Sequence, residues 1–316
     1  MVAIIGDIGG TNARFALVEA NGEMHSVVPL VCRQFGSLAE ACEAYLRQVS
    51  PAQAPKRGAF AVASPILGDD IQLTNLHWSF SIERVRERLA LETLDVVNDF
   101  VANALAIPRL APADVIKVGR GESVAHAPIW ALGPGTGLGA AALVWTGNHW
   151  MPLSSEGGHM TIAAANDREA EILAIIRSRL SHVSAERVVS GPGLVNLYNA
   201  VATASGKTPD SSYSPADVTH NGLNGTCSVC VETLEIFASM LGTVASDLAM
   251  VLNARGGIYI AGGIIPRLMP WFVDSGFRNR FEHKGRFSAF LAGLPTYIIV
   301  RPLPALAGLA QLVTED

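Results

Sequence analysis

Two glycine-rich turns constrain the fold of this chain more than any other feature of its sequence. Each turn lies between two apolar segments that have the composition of β-strands: "GDIGGTN" occupies residues 6–12, and "GPGTGLG" occupies residues 133–139. After each second strand, an Asn-Gly or Gly-Asn pair predicts a hairpin turn into a third strand. The recurrence of this β-turn-β pattern indicates two α/β domains of related architecture.

The other segments alternate between strand and helix patterns, as expected for an α/β protein. Ser37 and Glu40 have the spacing of a capping box and predict the start of the first helix. The predicted strands are 2–5, 13–18, 27–32, 58–63, 94–97, 129–132, 140–145, 150–153, 257–261 and 297–300. The predicted helices of the second half are 167–181, 193–204, 229–253 and 305–313.

The composition limits the classes of partner and location. The 316 residues carry a formal net charge of −5 without a cluster of Lys or Arg, so nucleic acid is not an expected partner. No signal-peptide pattern precedes the first strand, and the longest apolar segment, residues 236–252, contains Asp247, so we expect no membrane span. The four cysteines favour a reducing compartment. We therefore expect a cytoplasmic protein.

The glycines of both turns allow backbone N–H groups to approach a phosphate closely. The chain lacks a P-loop lysine, because the pattern G-x-x-x-x-G-K-[ST] is absent. Asp7 would repel a phosphate directly, but it could hold a Mg²⁺ ion against the phosphates with water molecules between them. Thr11 and Asn12 would add side-chain hydrogen bonds. Two other interpretations stay open: simple hairpins whose glycines serve only the backbone, and a dinucleotide-binding turn at residues 135–140.

Asn98 and Asp99 follow an apolar strand, where α/β sheets usually present functional groups. A carboxylate there can orient a hydroxyl and accept its proton during phosphoryl transfer, which makes Asp99 the candidate general base. The alternative is that Asp99 only caps the next helix. Glu156, His159 and Glu186 offer further hydrogen-bonding groups for sugar hydroxyls, although each could be an ordinary surface residue.

Taken in order along the chain, these motifs resemble the bacterial glucokinases of the sugar kinase, actin and chaperone ATPase superfamily. The resemblance extends from residue 2 to about residue 313 and rests on six stretches. They are "GDIGGTNARFALVE", "VVNDFVANALA", "GPGTGLGAA", "SSEGGHM", "SAERVVSGPGLVNLY" and "IYIAGGI".

The resemblance implies an α/β fold of two actin-like (ribonuclease H-like) domains, with mixed sheets flanked by helices and an inter-domain cleft. It implies a small domain of residues 1–110 plus 297–316 and a large domain of residues 111–296. The implied reaction is transfer of the γ-phosphoryl group of MgATP to the 6-hydroxyl of glucose, giving glucose 6-phosphate and ADP, with Asp99 as general base. A homodimer is the family expectation.

The resemblance also implies roles for individual residues. The implied sugar-binding residues are Asn98, Asp99, Glu156, His159, Glu186 and Gly135. The implied nucleotide-binding residues are Gly6, Asp7, Ile8, Gly9, Gly10, Thr11, Asn12, Gly133, Gly135, Thr136, Gly137, Gly262 and Gly263. Asp7 is the implied magnesium ligand, acting through water.

Several alternatives stay open at the level of sequence. The chain could phosphorylate another sugar, such as mannose, fructose or an N-acetylated hexosamine. It could be a non-catalytic sugar sensor or an actin-like ATPase, although the first glycine turn leaves no room before it for a helix-turn-helix. Cys227 and Cys230 have the C-x-x-C spacing of zinc ligands, but the chain has no second cysteine pair nearby, so we expect ordinary packing.

Overall fold

The computed structural model describes residues 2–73 and 76–314. The chain forms two compact units: the first comprises residues 1–110 and 301–316, and the second comprises residues 111–300. Each unit contains a mixed β-sheet with helices packed against it, which confirms the predicted α/β class.

In its described residues, 2–73, 76–110 and 301–314, the first unit has a five-stranded sheet, a small two-stranded sheet and four α-helices. Its strands are β1 (Ala3–Ile8), β2 (Asn12–Val18), β3 (Met24–Val31), β4 (Arg57–Val62), β5 (Asp70–Gln72), β6 (Ser79–Ser81) and β7 (Thr93–Asn98). Its helices are α1 (Leu38–Val49), α2 (Ile82–Arg88), α3 (Asp99–Ala106) and α11 (Pro304–Thr314).

Strand β1 occupies the centre of the five-stranded sheet, whose order is β3-β2-β1-β4-β7. β2 is antiparallel to both of its neighbours, whereas β1, β4 and β7 are parallel. Alternate residues of β1 point to opposite faces: Ile4 packs in a core with α1, and Ile5 packs in a core with α3 and α11. Gly308 of α11 permits close packing on α3, because a Cβ there would lie 1.8 Å from the carbonyl oxygen of Ala102.

The second unit consists of a six-stranded sheet and seven α-helices. Its strands are β8 (Val115–Val118), β9 (Ile129–Pro134), β10 (Leu138–Trp145), β11 (Trp150–Ser155), β12 (Gly257–Ile260) and β13 (Thr296–Ile299). Its helices are α4 (Asp167–Arg177), α5 (Gly191–Ala204), α6 (Pro215–Leu223), α7 (Ser228–Val251), α8 (Trp271–Asp274), α9 (Phe277–Glu282) and α10 (Ser288–Ala292).

The sheet of the second unit repeats the topology of the first. Its order is β11-β10-β9-β12-β13-β8, in which β9, β10 and β11 form an antiparallel meander. β12 and β13 run parallel to β9, as β4 and β7 run parallel to β1, and β8 is an additional antiparallel edge strand. The recurrence predicted from the two glycine turns is therefore a recurrence of strand order and direction.

The first strand is longer than the sequence predicted. The apolar pattern ended it at Ile5, but its pairing with β2 and β4 continues through Gly6, Asp7 and Ile8. Gly6 suits this place in the sheet because a Cβ there would lie 2.8 Å from the ring of Phe15. The first glycine turn is therefore shorter than predicted, and Asp7 lies on a strand.

The predicted domain boundary at residue 297 needs a correction. Residues 297–300 were expected in the small domain, but β13 pairs with β12 on one side and with β8 on the other. These backbone hydrogen bonds place the strand in the second unit, and the first unit resumes at Arg301.

Helix α7 is longer than the apolar segment read from the sequence. Among residues 2–73 and 76–314 it is the one helix that is long and apolar enough to cross a membrane by length and composition. Of its most apolar window, 72% is buried, and it carries core residues such as Phe237 and Leu241. The core helix of a globular protein passes the same test, so α7 is weak evidence for a membrane span.

Candidate active site

The first glycine turn connects β1 to β2 at one edge of the first sheet. The Gly9 N–H donates to the carbonyl oxygen of Asn12 at 3.0 Å and closes the turn. Cys32 holds the turn from the neighbouring strand end, since its N–H donates to the carbonyl oxygen of Thr11 at 3.0 Å and its thiol donates to that of Gly9 at 3.4 Å. Gly10 and Thr11 are exposed. The carbonyl groups of Gly9, Thr11 and Asn12 thus accept hydrogen bonds within the protein, and the tip of the turn is exposed.

Asp7 lies directly opposite Arg14 in the β1–β2 ladder. The Arg14 Nη1 atom is 3.7 Å from the Asp7 Oδ2 atom, and the two side chains are 40% and 23% exposed. Burial raises the pKa of Asp7, and the positive charge of Arg14 opposes that shift. The carboxylate is therefore partly enclosed beside the glycine turn. The side chain of Ile8, by contrast, is buried in the core, so a nucleotide could contact only its backbone.

Asn98 and Asp99 emerge at the same edge of the first sheet as the glycine turn. Ile8, Val62 and Asn98 are in register on three parallel strands, which separates the first from the last by two strand spacings, or about 10 Å. The register of this one sheet therefore places Asp99 and the first turn at the same edge.

The side chain of Asn98 fixes the start of helix α3. Its Oδ1 atom accepts the Phe100 N–H at 2.8 Å, which makes Asn98 the N-cap residue, and its Nδ2 atom donates to the carbonyl oxygen of Ser64 at 3.5 Å. The Asp99 Oδ1 atom shares the same Phe100 N–H at 3.0 Å. The sequence alternative that Asp99 is the cap is thus wrong: Asn98 is the cap, and Asp99 occupies the first helical position.

The second glycine turn lies between β9 and β10 and is bordered by the start of α5 and by the segment that follows β12. The Gly135 N–H donates to the Gly137 carbonyl oxygen at 2.8 Å, and the Gly135 carbonyl oxygen accepts the Gly191 N–H at 2.8 Å. Gly262 follows β12 with a φ of +88°, and a Cβ there would lie 2.6 Å from the Pro134 carbonyl oxygen. A Cβ on Gly135 or Gly263 would meet nothing within 4 Å. The turn is fixed by backbone contacts but has open space beside it.

Gly133 and Thr136 complete the set of nucleotide-binding residues predicted for this turn. Gly133 is paired with Gly139 in the β9–β10 ladder and is buried, whereas Thr136 is exposed at the tip of the turn. Thr136 therefore has the more accessible position of the two.

Glu156 and His159 border a short 3₁₀-helix that follows β11. The Glu156 Oε2 atom lies 3.8 Å from the His159 Nε2 atom, and both side chains are more than half exposed. Gly158 lets this segment pack against the start of β10, because a Cβ there would lie 1.9 Å from the Leu138 carbonyl oxygen. The two polar side chains are therefore held together at the surface, close in the fold to the second glycine turn.

Glu186 connects this polar segment with the second glycine turn. The Ala185 N–H donates to the Met160 carbonyl oxygen at 2.8 Å, which joins the two segments. The Glu186 Oε2 atom accepts the Leu138 N–H at 3.0 Å, and a Cβ on Gly137 would lie only 2.4 Å from this oxygen. The sequence assigned Glu186 to the sugar alone, and this contact with the turn was missed.

Ser190 is a residue next to this site that the sequence interpretation missed. Its hydroxyl accepts the Gly193 N–H at 3.0 Å, as the N-cap of α5, and donates to the Glu186 carbonyl oxygen at 2.7 Å. The signal was present in the sequence, because Ser190 precedes Gly-Pro-Gly and serine before a proline in the first turn is typical of a helix start.

Comparison with known proteins adds a direct test of the predicted resemblance. The family model described as Glucokinase matches residues 4–316. The chain belongs to the glucokinase family.

Individual relatives and solved structures align with this chain over almost their entire length. The glucokinase of Paramagnetospirillum magneticum is 51% identical over 315 residues, which cover 99% of this chain and 98% of that protein. A glucokinase structure from an Antarctic psychrotroph is 37% identical, with a TM-score of 0.90 and coverage of 100% and 99%. A glucokinase of the ROK family from Streptomyces griseus, solved with glucose and AMPPNP, is 18% identical, with a TM-score of 0.67 and 99% coverage of each chain, and shows a similar fold.

Family membership confirms three of the predictions. The resemblance to bacterial glucokinases is correct, the fold class of two actin-like α/β domains is correct, and the chain is a member of a family of kinases.

The predicted site residues form two groups, one at the edge of each sheet. The first group is Gly6, Asp7, Ile8, Gly9, Gly10, Thr11, Asn12, Asn98 and Asp99. The second is Gly133, Gly135, Thr136, Gly137, Glu156, His159, Glu186, Gly262 and Gly263. Their individual roles stay predictions.

The structure gives no support to a zinc site at Cys227 and Cys230. Within the described ranges 2–73 and 76–314, no group of three or more His, Cys, Asp or Glu side chains is placed to hold a metal ion. Structural zinc sites use four ligands, so this pair lacks partners for zinc.

Proposed function

We propose that the protein is an ATP-dependent glucokinase that transfers the γ-phosphoryl group of MgATP to the 6-hydroxyl of glucose. The observation that carries this proposal is the register of β1, β4 and β7, which presents Asp7, the glycine turn and Asp99 at one edge of one sheet. Membership of the glucokinase family supports glucose as substrate, and the S. griseus relative solved with glucose and AMPPNP, an ATP analogue, supports ATP as phosphoryl donor.

Asp99 is the general base of the proposed reaction. A sugar hydroxyl is a weak nucleophile, so a carboxylate within hydrogen-bond distance accepts its proton as the oxygen attacks. A new bond then forms between O6 and the γ-phosphorus, the bond from that phosphorus to the leaving oxygen of ADP breaks, and the proton stays on Asp99. Asp99 occupies the first position of α3, directly after the strand end of Asn98.

Asp7 is the proposed ligand of Mg²⁺. A single partly enclosed carboxylate fits this ion, because Mg²⁺ usually keeps several waters and binds one or two carboxylates together with substrate phosphates. When bound, the ion neutralises charge on the phosphates. The exposed tips of both glycine turns bind phosphate through backbone N–H groups, and Thr11, Asn12 and Thr136 contribute side-chain hydrogen bonds. The Gly262–Gly263 segment borders the adenosine.

The second polar group orients the sugar. Glu156, His159 and Glu186 bind its hydroxyls, with Asn98 and Gly135 as further contacts. Because Glu186 also accepts the Leu138 N–H, its position in the second unit is tied to that of the glycine turn. Once a bound sugar encloses these acceptors, a sugar that lacks one hydroxyl leaves an acceptor unpaired and should bind more weakly.

The test is ATP turnover with Mg²⁺ measured against glucose, mannose, fructose, N-acetylglucosamine and a control without sugar. We expect ADP formation that depends on glucose and is at least tenfold slower in kcat/KM with each other sugar. Turnover with one of the other sugars alone would correct the substrate but keep the reaction class. Equal ATP hydrolysis without any sugar would contradict the proposal. Parallel reactions with ADP or polyphosphate in place of ATP identify the donor.

The cytoplasmic location and the homodimer belong to the same proposal. Light scattering of the purified protein across a range of concentrations tests the dimer: we expect twice the monomer mass of 33.3 kDa. A constant monomer mass would remove the homodimer from the proposal and leave the reaction untouched.

A further inference from the structure

The start of helix α7 carries two cysteines that the proposed kinase reaction does not use. Cys227 is the N-cap residue, and Cys230 lies one turn later inside the helix. Cys227 is partly exposed, whereas Cys230 is completely buried. The other two cysteines, Cys32 and Cys42, are buried in the first unit. One accessible thiol therefore lies beside one protected thiol.

The spacing of the pair is compatible with a disulfide. Side chains three residues apart lie on the same face of a helix, with Cβ atoms about 5–6 Å apart. A disulfide brings the Cβ atoms to about 3.5–4.5 Å, so a small adjustment is needed. Cys227 can make it because its φ of −136° and ψ of 113° are extended rather than helical. Its backbone is outside the rigid helix, while that of Cys230 is inside.

The surroundings of the two sulfur atoms shift the pKa values of the two thiols in opposite directions. The pKa of Cys227 is lowered overall, although burial acts to raise it. The lowering comes from hydrogen bonds donated by the backbone of Cys230, the Cys230 thiol and the backbone of Val229, and from the charge of Lys207. The Lys207 ammonium is held there by a 3.0 Å hydrogen bond to the Ser228 hydroxyl. Burial, reinforced by the neighbouring Cys227 sulfur, raises the pKa of Cys230 to about 12.

The residues around the pair include a stacked pair of tyrosines and one lysine. The pKa of Tyr213 is raised, first by burial and then by the two cysteine sulfurs, so its phenol stays neutral at physiological pH. Its ring stacks on Tyr198 with the ring centroids 5.0 Å apart. Lys207 contributes the positive charge that helps to lower the pKa of Cys227. The thiolate is thus stabilised by one charge and by the first turn of α7, as in other C-x-x-C pairs at helix starts.

We propose that Cys227 and Cys230 form a redox-active dithiol that is oxidised by small-molecule disulfides to an intramolecular disulfide. In the first step, the Cys227 thiolate attacks one sulfur of the small disulfide, forms a mixed disulfide and expels one thiolate. In the second step, Cys230 loses its proton to solvent and attacks the Cys227 sulfur, which expels the second thiolate. The protein dithiol is oxidised, and the small disulfide is reduced to two thiols.

Oxidised glutathione is the probe for the first experiment. The full-length protein is incubated with it at pH 7, quenched with acid, and measured by intact mass and peptide mapping. We expect the wild type to lose two of its four thiols and two hydrogens, with the disulfide in the peptide that contains both cysteines. Cys230→Ser should retain one glutathione on Cys227, and Cys227→Ser should react at least tenfold more slowly. Cys42→Ser, the control, should behave as the wild type.

Several results would overturn the proposal. They are a stable glutathione adduct on the wild-type protein without closure, equal rates for Cys227→Ser and the wild type, or loss of thiols at Cys32 and Cys42 instead. If either serine variant fails to fold, the wild type alone still decides, because peptide mapping reports which sulfurs reacted.

The second experiment measures how fast iodoacetamide alkylates Cys227 as a function of pH. Because the pKa is lowered, the thiolate persists to lower pH, so the midpoint should lie below the ordinary value of 9.0. Lys207→Met should raise the midpoint and slow alkylation several-fold at pH 7, whereas Lys207→Arg should preserve both. Lys117→Met, at a lysine paired with Glu122, is the control. A midpoint at or above 9.0, or no effect of Lys207→Met, would contradict the assignment of Cys227 as the attacking thiolate.

Discussion

The two sheets have the same strand order around their glycine turns, but their carboxylates are arranged differently. In the first unit, Asp7 lies on the strand itself and faces Arg14 across the ladder. In the second unit, the carboxylate comes from Glu186, 48 residues further along the chain than Leu138, whose N–H it accepts. The carboxylate beside the first turn is thus partly exposed, whereas the carboxylate beside the second turn holds that turn in place through a hydrogen bond. A shared topology therefore supports two different roles for a carboxylate.

This difference suggests a division of labour that substitutions can test. On the proposed function, the first unit supplies the groups that act on the reacting atoms, Asp99 and Asp7. The second unit supplies a fixed turn and the residues that orient the sugar. We expect substitutions in the first group to reduce kcat most, and substitutions in the second group to change KM and stability.

The largest effect is expected for Asp99→Asn. The amide keeps the size and the hydrogen bond with Phe100 but cannot accept the proton, so kcat should fall by about a thousandfold. Glucose affinity, measured by calorimetry, should change less than about fivefold because the change is confined to the transition state. A kcat near that of the wild type would show that another group is the base.

Asp7→Asn should have the next largest effect. Loss of the carboxylate removes the proposed Mg²⁺ ligand, so kcat/KM for MgATP should fall by about a hundredfold and the Mg²⁺ concentration needed for half-maximal rate should rise. Glucose binding without nucleotide is the control and should be unchanged. An unaltered Mg²⁺ dependence would separate Asp7 from the metal.

A pair of glycine substitutions sharpens the comparison within the second turn. Gly137→Ala places a Cβ 2.4 Å from the Glu186 Oε2 atom, so the flexible carboxylate must move and its hydrogen bond with the Leu138 N–H is weakened. The loss should destabilise the protein by about 1 kcal/mol and raise the KM for ATP by about tenfold. Gly135→Ala enters open space, so it should leave the unfolding midpoint unchanged and alter substrate affinity only. Urea unfolding of both variants tests this contrast. Equal stabilities would mean that Glu186 does not fix the turn.

The smallest effects, on unfolding free energy, are expected for two substitutions of Asn98, and Asn98→Asp should have the smaller effect of the two. Aspartate retains the cap on α3 but cannot donate to the Ser64 carbonyl oxygen, whereas Asn98→Ala loses both interactions. Asn98→Ala should cost about 1 kcal/mol in unfolding free energy, the usual cost of a lost cap, and Asn98→Asp should cost less. The reverse order of stability would show that the Ser64 contact matters more than the cap.

Much of the architecture could be predicted from local patterns. Alternating apolar residues, turn dipeptides and capping residues act over a few positions, so the two β-turn-β units and most helices were predicted from the sequence. The extension of β1 was missed because Gly6 and Asp7 have low strand propensity, and tertiary pairing on both sides outweighs it. The placement of residues 297–300 failed for a similar reason, since only pairing partners decide which sheet a short strand joins.

The candidate site was predicted less completely than the fold. Asn98 and Asp99 were proposed as site residues from their position after a strand, and their roles stay predictions. The contact of Glu186 with Leu138 joins two segments that are far apart in sequence, and no local pattern encodes it. The N-cap role of Ser190 was recognisable from sequence, whereas its bond to the Glu186 carbonyl oxygen was not.

The most direct test of the proposed reaction is the identity of its product. The protein is incubated with MgATP and glucose labelled with ¹³C at carbon 6, and the product is examined by ³¹P and ¹³C NMR. We predict a phosphate coupled to carbon 6 and one ADP formed for each glucose consumed. Inorganic phosphate with unmodified glucose, or a phosphate on another hydroxyl, would contradict the account.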